Sequence, residues 1–73
     1  MFIALTASAK HYASRQAIAE VVEALDLGSD CAVGDLVSFV RAGTQYDFAI
    51  IRRRWITNES GVRLELTLDH PAR

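Results

Sequence analysis

Apolar and polar positions alternate most regularly near the end of the chain, where Val62, Leu64, Leu66 and Leu68 take one parity and Arg63, Glu65, Thr67 and Asp69 the other. A period of two is that of a strand with one buried face, so residues 62–69 are expected to form a strand. Tyr46 to Thr57 and Leu36 to Arg41 are rich in aromatic and β-branched residues and predict a long strand and a shorter one. Ala42-Gly43-Thr44 turns the chain between those two. Asn58-Glu59-Ser60-Gly61 has the composition of a type I turn closed by a left-handed glycine, a three-residue hairpin loop. Phe2 to Thr6 is a short first strand. Ile18, Val21, Val22 and Leu25, with Ala17 on the same side, recur at helical spacing and predict a helix over about residues 10–26. Ser8 or Ser14 is its expected N-cap and Gly28 its C-terminal cap. Gly28 to Gly34 reads as loop, and His70-Pro71-Ala72-Arg73 as a tail that Pro71 keeps out of the sheet.

These elements predict one α+β domain over residues 1–73, in the order β-α-β-β-β, with one helix packed on a small antiparallel sheet. The segment Val33-Gly34-Asp35-Leu36-Val37-Ser38-Phe39 resembles the opening strand of many small SH3-like barrels. That resemblance implies a strongly bent, barrel-like sheet over residues 34–70 with the helix as its lid. It also implies a role in binding peptides or nucleic acids.

The long strand does not alternate cleanly. Tyr46, Phe48, Ile50 and Ile56 share a parity with Arg52 and Arg54, while Ala49, Ile51 and Trp55 share the other with Arg53. If the glycine turn sets the register, Asn58 pairs with Val62 and two arginines face the leucines. A shift of one residue pairs Trp55 with Leu64 and Ile51 with Leu68, and it sets Arg54 opposite Glu65 as a favourable cross-strand pair. Only Arg53 then joins the leucine face, where its methylene stem can cover apolar surface. The two registers exclude each other locally. A β-bulge between Ile51 and Arg53 is therefore expected.

Composition narrows the functional classes. With 73 residues, 51% of them apolar, the chain can build one compact core. A domain of this size buries only about 60% of its unfolded surface, so homodimerisation is an expected way to hide more. The formal net charge of −1 gives no bulk attraction to nucleic acid or membrane. Cys31 is the only cysteine, which excludes an intrachain disulfide and fits a reducing compartment. Met1 to Ala9 lacks the basic and apolar regions of a signal peptide, and no apolar run approaches the ~20 residues of a membrane span. The expected location is cytoplasmic.

Charge is unevenly distributed. Glu20, Glu23, Asp26, Asp30 and Asp35 lie in a stretch without Lys or Arg, whereas Arg41, Arg52, Arg53, Arg54 and Arg63 belong to the strands. Lys10 and Arg15 near the helix start, and Glu20, Glu23 and Asp26 near its end, oppose the helix dipole. Pairing of Glu20 or Glu23 with a hairpin arginine, within the chain or across a dimer, would compensate.

No constellation of nucleophile, base and orienter emerges. Ser38 or Ser60 with His70, and Cys31 with His11, are nominal combinations only. His11, His70 and Cys31 have no metal-ligand spacing, and the four glycines match no phosphate-binding loop. No catalytic residue, metal, cofactor or small-molecule substrate is expected. The sequence points to a non-enzymatic binding module with a partner surface drawn from Arg41, Tyr46, Arg52, Arg53, Arg54, Trp55 and Arg63. Arginine and aromatic side chains suit an acidic protein surface, the first expectation. They also suit nucleic acid, where arginines meet phosphates and rings stack on unpaired bases. Carboxylate pairing, with Trp55 closing one end of the core, is the purely structural alternative.

Overall fold

A computed structural model describes residues 1–72. The elements are β1 (Phe2–Leu5), α1 (Ala7–Arg15), α2 (Ala19–Glu23), β2 (Leu36–Arg41), β3 (Thr44–Asn58) and β4 (Gly61–Asp69). The strands form one sheet in the order β1-β4-β3-β2. β2, β3 and β4 are an antiparallel meander, and β1 lies parallel to β4 with Ile3 opposite Leu66. The α+β class and all four strands follow the sequence pattern. The sheet is nevertheless mixed rather than antiparallel, because a strand that precedes the helices returns beside β4 in the same direction. It is also open, with β1 and β2 as its edges, where an SH3-like barrel would close.

The expected single helix is two. At about 100° per residue, Ile18 lies half a turn away from Ala9 on a continuous helix, and Val22 half a turn away from Ala13. One straight helix could therefore not bury both pairs, yet all four are buried. The chain resolves the conflict by ending α1 in a Schellman motif: Ile18 N–H donates to Ala13 O at 2.9 Å and Ala17 N–H to Ser14 O at 3.1 Å. Ala17 takes the left-handed conformation this requires, with φ of 60°. Val21, expected on the buried side, is exposed.

The caps also differ from expectation. Thr6, not Ser8 or Ser14, caps α1, accepting the Ala9 N–H at 3.1 Å. Its hydroxyl donates to Asp69 Oδ1 at 2.6 Å and its N–H to Leu68 O at 3.0 Å, so one residue joins the helix start to the end of β4. Gly28 is not a helix cap: α2 stops at Glu23, with Ala24 at its C-cap.

Cross-strand partners share a face of a sheet. Phe48, Ile50, Leu64, Leu66 and Leu68 therefore face the helices, where they meet Ile3, Ala9, Ala13, Ile18 and Val22 in one buried cluster. The small side chains of Ala9 and Ala13 let α1 approach the sheet closely. α1 and α2 lie chiefly over β1 and β4. The molecule is elongated, 40 × 22 × 21 Å, because β3 and β4 run on past their partners. β2 pairs no further along β3 than Ala49, and β1 pairs no nearer to the β4 start than Glu65.

The hairpin adopts the shifted register. Asn58 pairs with Gly61, leaving the two-residue loop Glu59-Ser60 in place of the expected three residues. The Asn58 side chain accepts the Ser60 N–H at 2.8 Å, which organises that tighter turn. Trp55 opposes Leu64, Arg54 opposes Glu65, and the pairing slips between Ile50 and Arg52 so that Ile51 bulges. The expected bulge is present; its effect is to pair Ile50, rather than Ile51, with Leu68.

Because L-residues pay roughly 1–2 kcal/mol for the left-handed region, Ala17→Gly is expected to stabilise the fold by about 0.5 kcal/mol net of unfolded-state entropy. Thermal unfolding should show this as a Tm higher by roughly 2–4 °C.

Candidate interaction surface

The residues picked from the sequence separate into two groups. Arg41 and Tyr46 belong to the β2–β3 end. Tyr46 opposes Phe39 and packs half-buried against Tyr12, the ring centroids 6.3 Å apart. It lies nine residues from Trp55 along one strand, about 30 Å at 3.3 Å per residue. Arg41 donates from Nη1 to Ala17 O at 3.3 Å, satisfying a carbonyl at the end of α1. Neither joins the cluster at the hairpin.

The distal hairpin holds the others, on both of its faces. On the face away from the helices, Arg54 Nη2 meets Glu65 Oε1 at 2.8 Å, the one ion pair among the described residues. The Glu65 side chain is 11% exposed and that of Arg54 47%. Arg54 thus shields a nearly buried carboxylate that sits there because β4 alternates. Arg63 lies over the Phe2 ring, with Cζ 5.2 Å from the centroid. Arg52, opposite Thr67, is exposed, and no hydrogen bond or ion pair engages its guanidinium among the described residues.

On the helix side, Arg53 lies with Cζ 5.5 Å from the Trp55 ring centroid and donates from Nη2 to Ser29 O at 3.1 Å. The helices do not reach this half of the hairpin. Trp55 is consequently 52% exposed and Val62 66% exposed, beside a partly exposed Met1. Met1, Ser29, Trp55, Val62 and Leu64 line a shallow groove there, rimmed by Asp26 and Arg63. Trp55 does not close the core. Within the chain, no pairing of Glu20 or Glu23 with a hairpin arginine occurs among the described residues.

Two polar clusters were not singled out from the sequence. Ser38 and Asp47 are cross-strand partners, and Ser38 Oγ donates to Asp47 Oδ1 at 2.6 Å while Gln45 Nε2 donates to the same oxygen at 2.9 Å. These two donors, aided by His70, hold the Asp47 carboxyl below its ordinary value of 3.8 despite opposing desolvation. The spacing about the Ala42-Gly43 turn contained this pair, since a two-residue loop sets Ser38 opposite Asp47. His70, assigned to a tail, stacks on Tyr12 with centroids 3.5 Å apart and meets Asp47 O through Nδ1 at 3.2 Å. No sequence spacing connects residues 12 and 70. Both clusters are engaged within the fold. No group of three or more His, Cys, Asp or Glu able to hold a metal occurs among the described residues, and no helix is long and apolar enough to cross a membrane.

The arginines are therefore expected to differ sharply on substitution. Arg54→Met leaves Glu65 without its partner and should cost about 1–3 kcal/mol by urea unfolding, whereas Arg52→Ala should stay within about 0.5 kcal/mol. Equal costs would contradict these assignments. For Asp47, a carboxyl 13C NMR titration should show a midpoint below 3.8 that rises in Ser38→Ala. A folded-state pKa below the unfolded one favours folding above about pH 4, and that contribution disappears as pH falls through the folded-state value.

Comparison of the chain with protein-family models, with curated proteins and with solved structures yields no match, so a functional reading rests on the geometry of these residues.

Proposed function

We propose that the chain is a small non-enzymatic interaction module whose partner surface is the distal half of the β3–β4 hairpin. The observation that carries this reading is the exposure of Trp55 and Val62, side by side on a stretch of sheet the helices leave uncovered. In a core, both would face the helix layer. Tryptophan and arginine are the side chains enriched among energetically dominant interface residues, and Trp55 here carries Arg53 on its ring. Arg63 at the rim of the groove suits a partner of acidic character, to which it would contribute mainly association rate and specificity.

A protein partner fits better than nucleic acid. Arg54 is neutralised by Glu65, Arg53 and Arg63 lie over aromatic rings, and Arg53 is further held by Ser29. Few guanidinium groups remain free to track a phosphate backbone, and Arg53 competes with a base for one face of the Trp55 ring.

Photo-crosslinking from position 62 in the native cell is expected to trap a protein, with the yield falling at least about tenfold in Trp55→Ala, as for a central aromatic contact. Trp55 fluorescence should not change on titration with short DNA or RNA strands. A fluorescence change reversed between roughly 50 and 200 mM salt would overturn the proposal in favour of nucleic acid.

A further inference from the structure

We propose that two copies of this chain associate through the outer edge of β2, in an antiparallel pairing centred on Ser38 that joins their sheets into one of eight strands. This interface lies away from the distal hairpin and does not depend on the function proposed for it.

β2 is a terminal strand of the sheet, hydrogen-bonded only to β3. The helices lie chiefly over β1 and β4, and no turn, loop or cap backbone hydrogen bond reaches Val37–Arg41 among the described residues. Such an edge presents a row of free N–H and C=O groups that another strand can pair with. Natural edges are blunted by charge, proline, bulges or brevity. None of these interrupts Leu36-Val37-Ser38-Phe39-Val40, whose Leu36 and Val40 are 63% and 61% exposed on the face away from the helices.

What identifies the occupant as a second copy is self-complementarity. With Ser38 opposite the partner copy's same residue, position 36 meets position 40, 37 meets 39, and 35 meets 41, each twice by symmetry. Leu36 then packs against Val40 on the open face, and Val37 against Phe39 on the helix side, where both are already half-buried. At each end, Asp35 and Arg41 come opposite each other on one side of the sheet. The Asp35 Oδ2 already accepts the Ala32 N–H at 2.8 Å and Arg41 Nη1 donates to Ala17 O at 3.3 Å, so the pair forms through their other oxygen and N–H groups. Aliphatic, aromatic and opposite-charge pairs are the favourable cross-strand combinations, and this register contains no like-charge pair. Asp35 stands just before the ladder, its carbonyl accepting the Ile50 N–H at 2.9 Å while its own N–H turns back to Ala32 O at 3.0 Å. The two-fold axis stands perpendicular to the sheet, so both helix layers lie on the same side, flanking the junction.

The other long free edge excludes itself by the same reasoning. β3 beyond Ile51 has no partner on its outer side, but antiparallel self-pairing centred on Arg53 sets arginine against arginine at three consecutive positions. Like charges directly opposite are destabilising. The arginine run guards that edge, β1 offers an edge of only four residues, and β2 is left as the longer edge that fits itself.

Light scattering across a concentration series up to about 1 mM should show the whole chain passing from monomer to dimer. Arg41→Asp sets carboxylate against carboxylate at both ends and should weaken the dimer at least about tenfold. Asp35→Arg combined with Arg41→Asp reverses each pair and should recover it. The register is read independently by cysteines introduced into Cys31→Ser: Ser38→Cys brings two sulfurs together on the axis and should cross-link on mild oxidation. Val40→Cys places its pair about 13 Å apart along the strands, too far for a disulfide. If Arg41→Asp fails to fold by circular dichroism, the cysteine comparison decides. A chain monomeric at about 1 mM, or cross-linking at Val40→Cys equal to that at Ser38→Cys, would overturn the proposal.

Discussion

The pairing of β3 with β4 is the constraint from which the rest of this structure follows. β3 must bury Phe48 and Ile50 against the helices and yet carry three consecutive arginines a few residues later. Unbroken alternation continuing from Ile50 would send Arg52 and Arg54 under the helix layer with the leucines. The bulge at Ile51 removes that outcome by adding one residue between the apolar end and the charged end. Beyond it, the parity that leads to the core at Ile50 leads to solvent at Arg52 and Arg54. Arg54 then meets Glu65, and Trp55 meets Leu64.

The same pairing determines where the molecule is finished and where it is open. Two short helices can cover only part of a hairpin this long, and they cover the part nearest β1. The remainder keeps an apolar strip of Trp55 and Val62 in contact with water. In a domain with a small core, leaving a tryptophan half exposed forgoes stabilisation of the kind the fold can least spare. The guanidinium of Arg53 over that ring recovers part of it as cation–π contact, and Arg63 makes the same kind of contact with Phe2 on the opposite face. Arginine is suited to both tasks, since its stem packs on apolar surface while its planar head remains solvated.

Much of the strand architecture was legible in the sequence. Alternation placed β4, β-branched and aromatic content placed β2 and β3, and the clash of parities within residues 46–57 announced the bulge and the Arg54–Glu65 pair. The helix was less legible. Ile18 and Val22 advertised one apolar stripe, but alanines buried at 9 and 13 are too small to advertise another. The half-turn offset that forces the break at Ala17 was therefore invisible as a pattern. Thr6 was overlooked as a cap because its value lies partly in Asp69, more than sixty residues away.

The candidate surface divided along similar lines. Side-chain chemistry was readable, so Arg52, Arg53, Arg54, Trp55 and Arg63 were found together. Tyr46 and Arg41 were grouped with them only by residue type, and strand length carried them to the other end of the molecule. By itself, the sequence determined which segments become strands and which residues carry charge and rings, because those follow from local periodicity and composition. Only the tertiary structure decided that β1 would return parallel to β4, which arginines would be neutralised, and which edges and faces would remain bare. Those outcomes depend on how far two short helices reach across a hairpin they do not adjoin in sequence, a long-range packing relation that no local pattern encodes.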